Sequence, residues 1–235
     1  MERSQIYDLA DIFLKGYIVA SIDIPIEGIS IDLSKGIIKL YKRILTKEDQ
    51  IAIKFASILN SMNIRYAFVA GYVAILLGRA RSSDDIDVIA DVDKDTFIDL
   101  CRVLSESGYE VLQGDINSRE SVERLFDEYL LHGLSIRFLH PGTIVPSIEF
   151  KIPKTKFHRM TIENSIIVIV NDSYQIRISP IELQIAYKLW LGSEKDIGDA
   201  LYLYELFKDR LNKEKLLRLC QDMGVNCSVL GEEYG

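Results

Sequence analysis

The sequence predicts an α/β (α+β) fold, with a mixed sheet flanked by helices and a helical C-terminal part, and three observations lead to this class. Between residues 65 and 178, short runs of apolar and β-branched residues alternate with stretches of helical spacing. From Pro180 onward the pattern is almost wholly helical. The 235 residues are 48% hydrophobic and 27% charged, a composition typical of a globular protein that buries its own core.

The first 45 residues are predicted to form an N-terminal extension, and we assign them no chemistry. Apolar spacing predicts a helix near residues 6–17. Alternating runs at residues 22–24 and 29–33, separated by Gly28, predict a short β-hairpin. We therefore divide the chain into this extension (1–45), an α/β domain (46–178) and a helical region (179–235).

The α/β domain is predicted to begin with a helix that is capped by Thr46 and ends near Asn63. The apolar run at residues 66–70 predicts a buried strand, which Gly71 ends, and a short buried helix follows at residues 72–77. The remaining predicted elements are a strand at 85–90, a helix at 94–107, strands at 109–112, 134–139, 148–152, 166–170 and 174–178, and helices at 180–191, 194–211 and 213–223.

Charge and composition narrow the classes of function. The net charge of −7 disfavours indiscriminate binding to nucleic acid. Residues 151–159 form a local basic segment, for which we favour a solvated loop broken by Pro153 over a binding site. No apolar run approaches the roughly 18 residues that cross a bilayer, and we expect a cytoplasmic protein without membrane contact. Three cysteines are too few and too scattered for a disulfide framework.

The most informative feature is a pair of aspartates, Asp85 and Asp87, inside an otherwise apolar strand. Residues two apart on a strand project from one face, so the two carboxylates lie side by side. A divalent cation compensates such a pair, and magnesium prefers hard oxygen ligands. The alternative is that both acids lie at the solvent end of an edge strand, or that Arg79 and Arg81 neutralise them.

The residues that precede Asp85 in the chain suit the binding of a phosphate group. A strand ends at Gly71 and opens directly into a helix, where backbone N–H groups can meet an anion and the glycine has no Cβ to obstruct it. Residues 79–83 then bring two arginines and two serines, which can add phosphate contacts. A simple turn and a solvated loop are the alternatives for these two features.

These residues resemble the nucleotidyltransferase superfamily, the polymerase-beta-like fold. The match runs over residues 69–74 and, after a spacer, over the Asp-x-Asp strand at 85–89. A second match, at residues 178–183, 187–189 and 195–199, is similar to the C-terminal helical signature of minimal nucleotidyltransferases, including toxin-type and abortive-infection relatives. Together the two stretches cover roughly a quarter of the chain.

The resemblance implies Mg²⁺-dependent transfer of a nucleoside monophosphate from a nucleoside triphosphate to an unidentified acceptor, which is a small molecule, a protein or an RNA end. A protein partner, such as an antitoxin, stays open at this point. One or two magnesium ions would bridge the phosphates. Lys188 would neutralise the leaving pyrophosphate or an acceptor phosphate. The alternative is that Lys188 is an ordinary solvent-facing lysine. The implied site comprises Asp85 and Asp87 as metal ligands and Gly71, Tyr72, Arg81, Ser82 and Lys188 as nucleotide-binding residues.

Two departures keep a second function open. Tyr72 stands where the family has the second glycine of a pair. Arg137 is the central polar residue of the strand where a third carboxylate is expected, and Glu149 in the next run is the candidate to replace it. Loss of the third carboxylate weakens general-base help without removing metal binding. The alternative is therefore a catalytically silent protein that binds a nucleotide or a partner through the same cleft.

Overall fold

The computed structural model describes residues 26–231, and the predicted helix near residues 6–17 and the predicted run at 22–24 lie outside them. Within the described residues, a mixed nine-stranded sheet is flanked by helices and followed by a helical C-terminal part, which confirms the predicted fold class. No helix in this part of the chain combines the length and apolarity that spanning a membrane requires.

The strands form a single sheet in the order β1-β2-β8-β9-β3-β4-β7-β6-β5. Three neighbouring pairs are parallel, namely β2 with β8, β9 with β3, and β4 with β7, and the other pairs are antiparallel. The bounds are β1 Ile26–Asp32, β2 Ile37–Lys42, β3 Arg65–Phe68, β4 Asp85–Asp91, β5 Glu110–Val111, β6 Ile136–Leu139, β7 Ser147–Lys151, β8 Ile166–Val170 and β9 Tyr174–Ile178.

Part of the N-terminal extension belongs to this sheet. β1 and β2 form an antiparallel hairpin, and β2 pairs with β8. The hairpin turn lies at residues 33–36, because Gly36 adopts a positive φ of 64° and its N–H donates to the Leu33 carbonyl. The hairpin therefore begins later in the chain than the alternating pattern predicts.

Eight α-helices lie within residues 26–231, and two of them, α4 and α5, were not predicted. α4 continues into a π turn at Leu125–Tyr129 and a 3-10 turn at Leu130–His132. α5 corrects the expectation of a loop at residues 151–159: Pro153 precedes the helix, and Thr155 caps it. The bounds are α1 Lys47–Ser61, α2 Ala70–Leu76, α3 Lys94–Glu106, α4 Arg119–Arg124, α5 Lys156–Glu163, α6 Ile181–Leu191, α7 Glu194–Phe207 and α8 Lys213–Met223.

The core determines which face of the sheet remains available for a site. Ile86 and Val88 of β4 are fully buried, and so are Ile148 and Phe150 of β7. The rings of Phe55, Phe97, Phe138 and Phe150 form contacts with centroids 5.7–6.5 Å apart on this side. Alternation along the strands then directs the intervening side chains of β4 and β7 to the opposite face.

The sequence analysis expects no disulfide framework, and the structure contains one disulfide within the described residues. Cys220 at the end of α8 forms a disulfide with Cys227, while Cys101 is a free thiol in the core. One bridge of this kind closes a short loop and is not a framework on which the fold depends.

Candidate active site

Three carboxylates share one face of the sheet where β4 and β7 run side by side. In the parallel register of these strands, Asp87 lies directly opposite Glu149, and Asp85 lies opposite Ser147. All three acids are partly buried, and only 21% of the Asp87 side chain is exposed. The structure therefore brings together the three acids that the sequence analysis names, on two adjacent strands.

Two basic side chains connect these acids. Lys151 Nζ lies 2.6 Å from Glu149 Oε1 and 3.2 Å from Asp87 Oδ1. Arg137 Nη2 lies 3.2 Å from Asp85 Oδ2 and 3.5 Å from Glu149 Oε2. Three negative charges thus face two positive ones, and the local excess is one negative charge. Arg79 and Arg81, the cations that the alternative interpretation assigned to the aspartates, contact another carboxylate.

Burial and the neighbouring charges shift the pKa values of Asp87 and Glu149 in opposite directions. Burial raises the pKa of Asp87, the neighbouring charges of Glu149 and Asp85 raise it further, and Lys151 opposes them without cancelling the shift. For Glu149, burial alone would raise the pKa, but Lys151 and Arg137 outweigh burial and lower it. Glu149 therefore keeps its negative charge at neutral pH, whereas the ion pair of Asp87 with Lys151 does not fully offset the burial of Asp87.

The donor set suits a magnesium ion that arrives with a phosphate ligand. Between residues 26 and 231, no three His, Cys, Asp or Glu side chains converge closely enough to hold a metal by themselves. Magnesium in phosphate-transfer sites usually takes one or two carboxylates and completes its shell with substrate oxygens and water. Asp85 and Asp87 supply such a pair, and Ser147 orients the first by donating to Asp85 Oδ1 at 2.7 Å.

The turn from β3 into α2 lies beside these acids and has a strained backbone. The Val69 N–H donates to the carbonyl of Asp87 at 3.0 Å, so the chain leaves the sheet next to that residue. Ala70 follows with φ of 56°, in the left-handed region that a residue with a Cβ rarely adopts. Gln184 of α6 holds this conformation: its Oε1 accepts from the Ala70 N–H, and its Nε2 donates to the Ala70 carbonyl.

Gly71 makes room for an arginine. A Cβ on Gly71 would lie 2.6 Å from Arg81 Nη2, which means that the guanidinium packs directly on the glycine. The same guanidinium forms a bidentate ion pair with Asp199 of α7, with Nε 2.9 Å from Oδ1 and Nη2 2.7 Å from Oδ2. The structure thus brings Gly71 and Arg81 together, and the guanidinium fills the space that a Cβ on Gly71 would take.

Asp199 is the centre of a buried charge cluster. It is fully buried and also pairs with Arg79 and with Lys188, whose Nζ lies 2.9 Å from Asp199 Oδ2. Lys188 in turn contacts Asp196 at 2.6 Å and has only 3% of its side chain exposed. The solvent-facing alternative for Lys188 is therefore wrong. Its ammonium group braces the two aspartates of α7.

The other two predicted nucleotide-binding residues lie apart from the acids. Tyr72 is fully buried, and its hydroxyl lies 3.2 Å from Asp49 Oδ1, which also pairs with the buried Lys42 through Oδ2. Only the backbone of Tyr72 can therefore serve a ligand at the start of α2. Ser82 is exposed, and its carbonyl accepts from Arg81 Nη1 at 3.0 Å.

Sequence reasoning missed four residues around the site. Lys151 and Ser147 lie two positions from Glu149 on β7, and the spacing that paired Asp85 with Asp87 could have found them.

The other two residues are aromatic. Tyr187 and Trp190 form a stacked pair one helical turn apart on α6, with ring centroids 5.8 Å apart. Burial and the charge of Asp87 raise the pKa of Tyr187, while the charge of Lys151 lowers it. Trp190 is 56% exposed.

The mixed sheet, the strand-to-helix turn and the aligned acids are the features of the fold to compare with known proteins. No protein-family model matches the sequence, and no curated protein matches it. Among solved structures, the chain is similar to an antigenic nucleotidyltransferase-like protein from Paracoccidioides brasiliensis, with 19% identity and a TM-score of 0.46 over 78% of this chain and 92% of that one.

Two further solved structures are similar to the chain. The antibiotic-resistance factor ANT(2'')-Ia matches with 11% identity and a TM-score of 0.43 over 76% of this chain and 93% of that one. A tRNA nucleotidyltransferase complexed with a primer tRNA and an incoming ATP analogue matches with 13% identity and a TM-score of 0.31. That match covers 71% of this chain and 55% of the tRNA nucleotidyltransferase chain.

Proposed function

We propose that this protein transfers a nucleoside monophosphate from a nucleoside triphosphate to a hydroxyl-bearing acceptor in a magnesium-dependent reaction. The observation that carries the proposal is the alignment of Asp85, Asp87 and Glu149 on one face of the sheet, beside the turn that opens α2. The acceptor class stays open among a small molecule, a protein side chain and an RNA end.

Asp85 and Asp87 would hold the magnesium ion, which supplies positive charge to the triphosphate during displacement at the α-phosphorus. In that displacement, the acceptor oxygen forms a bond to the α-phosphorus, the bond to the bridging oxygen breaks, and pyrophosphate leaves. Glu149 remains ionised opposite Asp87 and is the base that the site offers to the acceptor proton. Because its pKa is lowered, Glu149 is a weak base, and we expect it to contribute less than the two aspartates.

The triphosphate is expected to lie over Gly71, where the guanidinium of Arg81 is already in place. Asp199 fixes that guanidinium by two hydrogen bonds, so Arg81 does not have to be ordered when the ligand arrives. Lys188 supports Asp199 from the other side and acts here as a positioning residue.

The stacked pair on α6 offers a surface for a flat ring. Tyr187 stacks on Trp190, which is exposed to solvent, and the charges of Asp87 and Lys151 act on the Tyr187 hydroxyl. A nucleobase stacked on an aromatic side chain gains about 1–3 kcal/mol and needs no fixed hydrogen-bond pattern. We therefore place the base of the nucleotide on this pair.

A catalytically silent nucleotide-binding protein is the second candidate, and one observation favours it. Arg137 and Lys151 already compensate two of the three acidic charges, and Glu149 is engaged by both of them. A site neutralised in this way can bind a nucleotide without activating an acceptor.

Thermal unfolding and pyrophosphate release distinguish these functions. We expect magnesium together with one of the four nucleoside triphosphates to raise the melting temperature, since a ligand that binds only the native state stabilises it. Pyrophosphate release should follow with a suitable acceptor and should fall at least 100-fold in an Asp85→Asn/Asp87→Asn double variant. The matched control is Asp84→Asn, which changes an exposed neighbouring carboxylate.

The results of these two measurements distinguish the enzyme from the silent nucleotide-binding protein. A metal-dependent shift without pyrophosphate release across a panel of acceptors would identify the silent protein. No shift with any nucleoside triphosphate would contradict both functions.

A further inference from the structure

We infer that Lys151 takes the place of a second divalent ion, so that this site binds one metal ion with its nucleotide rather than two. The inference rests on the proposed function and concerns how the site neutralises its three acids. Its basis is the position of a single ammonium group between carboxylates of two neighbouring strands.

Lys151 lies between the carboxylates of Asp87 and Glu149, where a metal ion shared by these two acids would have to bind. Its Nζ is 3.2 Å from Asp87 Oδ1 on β4 and 2.6 Å from Glu149 Oε1 on β7. Lys151 and Glu149 are two residues apart on β7 and therefore share a face of the sheet. The lysine side chain needs only to fold along its own strand to reach both acids, so no distant element has to move to place it there.

Glu149 is occupied on both of its oxygens. Lys151 contacts Oε1, while Arg137 Nη2 lies 3.5 Å from Oε2 and 3.2 Å from Asp85 Oδ2. A metal ion that used Glu149 as a ligand would have to displace one of these cations and would then lie beside it. Repulsion between the two positive charges opposes that arrangement. Glu149 is thus retained as a counterion for the two basic side chains.

The remaining pair of acids keeps oxygen lone pairs for one ion. Asp87 Oδ1 is contacted by Lys151, whereas Asp87 Oδ2 accepts no hydrogen bond from any residue in the described range 26–231. Asp85 accepts from Ser147 through Oδ1 and from Arg137 through Oδ2, and both oxygens retain further lone pairs. Two carboxylates and the phosphate oxygens of a nucleotide complete a magnesium shell.

Counting bound Mn²⁺ by electron paramagnetic resonance tests the inference. The full chain is saturated with the α,β-methylene analogue of the nucleoside triphosphate that raises its melting temperature most. We expect one Mn²⁺ per complex in the wild type, two in Lys151→Met, and one in Lys151→Arg, which keeps the positive charge. Lys154→Met is the matched control, since Lys154 is an exposed lysine on the same segment whose ammonium contacts neither acid, and it should bind one.

Two ions in the wild-type complex, or one ion in a folded Lys151→Met, would overturn the role of Lys151 while leaving the proposed function intact. If Lys151→Met does not fold, the wild-type count alone decides between one ion and two. Failure of the wild type to bind the analogue at all would instead overturn the proposed function, and this inference with it.

Discussion

At the scale of single residues, Asp199 connects the C-terminal helices to Arg81 of the proposed nucleotide site. It is fully buried and pairs with Arg79, Arg81 and Lys188 at once. Removing one partner from a buried ionic network leaves the others uncompensated in a medium of low dielectric constant. We therefore expect Asp199→Asn to lower the free energy of unfolding by about 3–5 kcal/mol. Urea denaturation measures this change, and Asp209→Asn, at an exposed aspartate just beyond α7, is the control.

The Asp199 carboxylate should also make the free energy of unfolding depend on pH. Burial alone would raise the pKa of Asp199, but Arg81 and Lys188 outweigh it, and the net pKa lies below that of an ordinary aspartate. A carboxylate whose pKa is lower in the folded state stabilises the fold above its unfolded pKa, and that stabilisation is lost as the pH falls through the folded value. Between pH 5 and pH 2, the wild type should therefore lose more stability than Asp199→Asn. Parallel acid-unfolding curves of the two proteins would contradict this expectation.

Single-residue predictions succeeded where the strand period alone decides. The period of two places Asp85 and Asp87 on one face, and the structure does the same. The partners of Arg81 and Lys188 were not predictable, because Asp199 lies on a later helix whose packing against the Arg79–Ser83 segment is a tertiary property. The chemical roles of all these residues stay predictions.

At the scale of secondary-structure elements, the turn from β3 into α2 stores backbone strain at Ala70. Its φ of 56° costs an alanine about 1 kcal/mol relative to glycine. Ala70→Gly should accordingly raise the free energy of unfolding by about 1 kcal/mol. Ala74→Gly, inside the same helix, should lower it by a similar amount or more. Thermal denaturation of both variants checks the two signs, and a loss of stability in Ala70→Gly would show that the turn is not strained.

The start of α2 also depends on the absence of a side chain at Gly71. A Cβ there would lie 2.6 Å from Arg81 Nη2 and would displace the guanidinium. We expect Gly71→Ala to weaken binding of the magnesium–nucleotide complex about tenfold, which corresponds to roughly one lost charged hydrogen bond, while the fold persists. Isothermal titration calorimetry measures the affinity.

A matched variant separates this effect from general disturbance of the charge cluster. A Cβ at Gly198 would meet Arg79 Nη2, the neighbouring arginine on the same aspartate, and would leave Arg81 in place. Gly198→Ala should therefore retain more nucleotide affinity than Gly71→Ala. The reverse order would remove Arg81 from the proposed site.

Elements with strong local signals were predicted closely, and those that depend on context were not. β8 and β9 agree with the predicted residues at both ends, because their apolar runs are bounded by the Asn171–Ser173 turn. α5 was missed because four basic residues and Pro153 suggested a solvated loop, whereas the helix buries Ile162 and starts after the proline. The hairpin of β1 and β2 becomes part of the sheet only through β8, a pairing across more than 120 residues that local patterning does not reveal.

At the scale of the whole molecule, the C-terminal helices provide both the brace for Arg81 and the stacked aromatic pair of α6. Trp190 is the single tryptophan of the chain and is 56% exposed, so its fluorescence reports on that surface. Binding of a magnesium–nucleotide complex should quench or shift this emission. Tyr187→Ala should weaken the nucleotide affinity by about 10-fold or more, in line with one lost stacking contact. Unchanged emission at saturating nucleotide would place the base elsewhere.

The most direct measurement of the central claim is the position of a metal ion in crystals of the protein grown with Mn²⁺ and a non-hydrolysable nucleoside triphosphate. Anomalous diffraction locates manganese independently of the protein coordinates. The account predicts a peak bonded at about 2 Å to carboxylate oxygens of both Asp85 and Asp87 and to phosphate oxygens of the analogue. A nucleotide bound without metal between these two aspartates, or with its phosphates remote from Gly71, would contradict it.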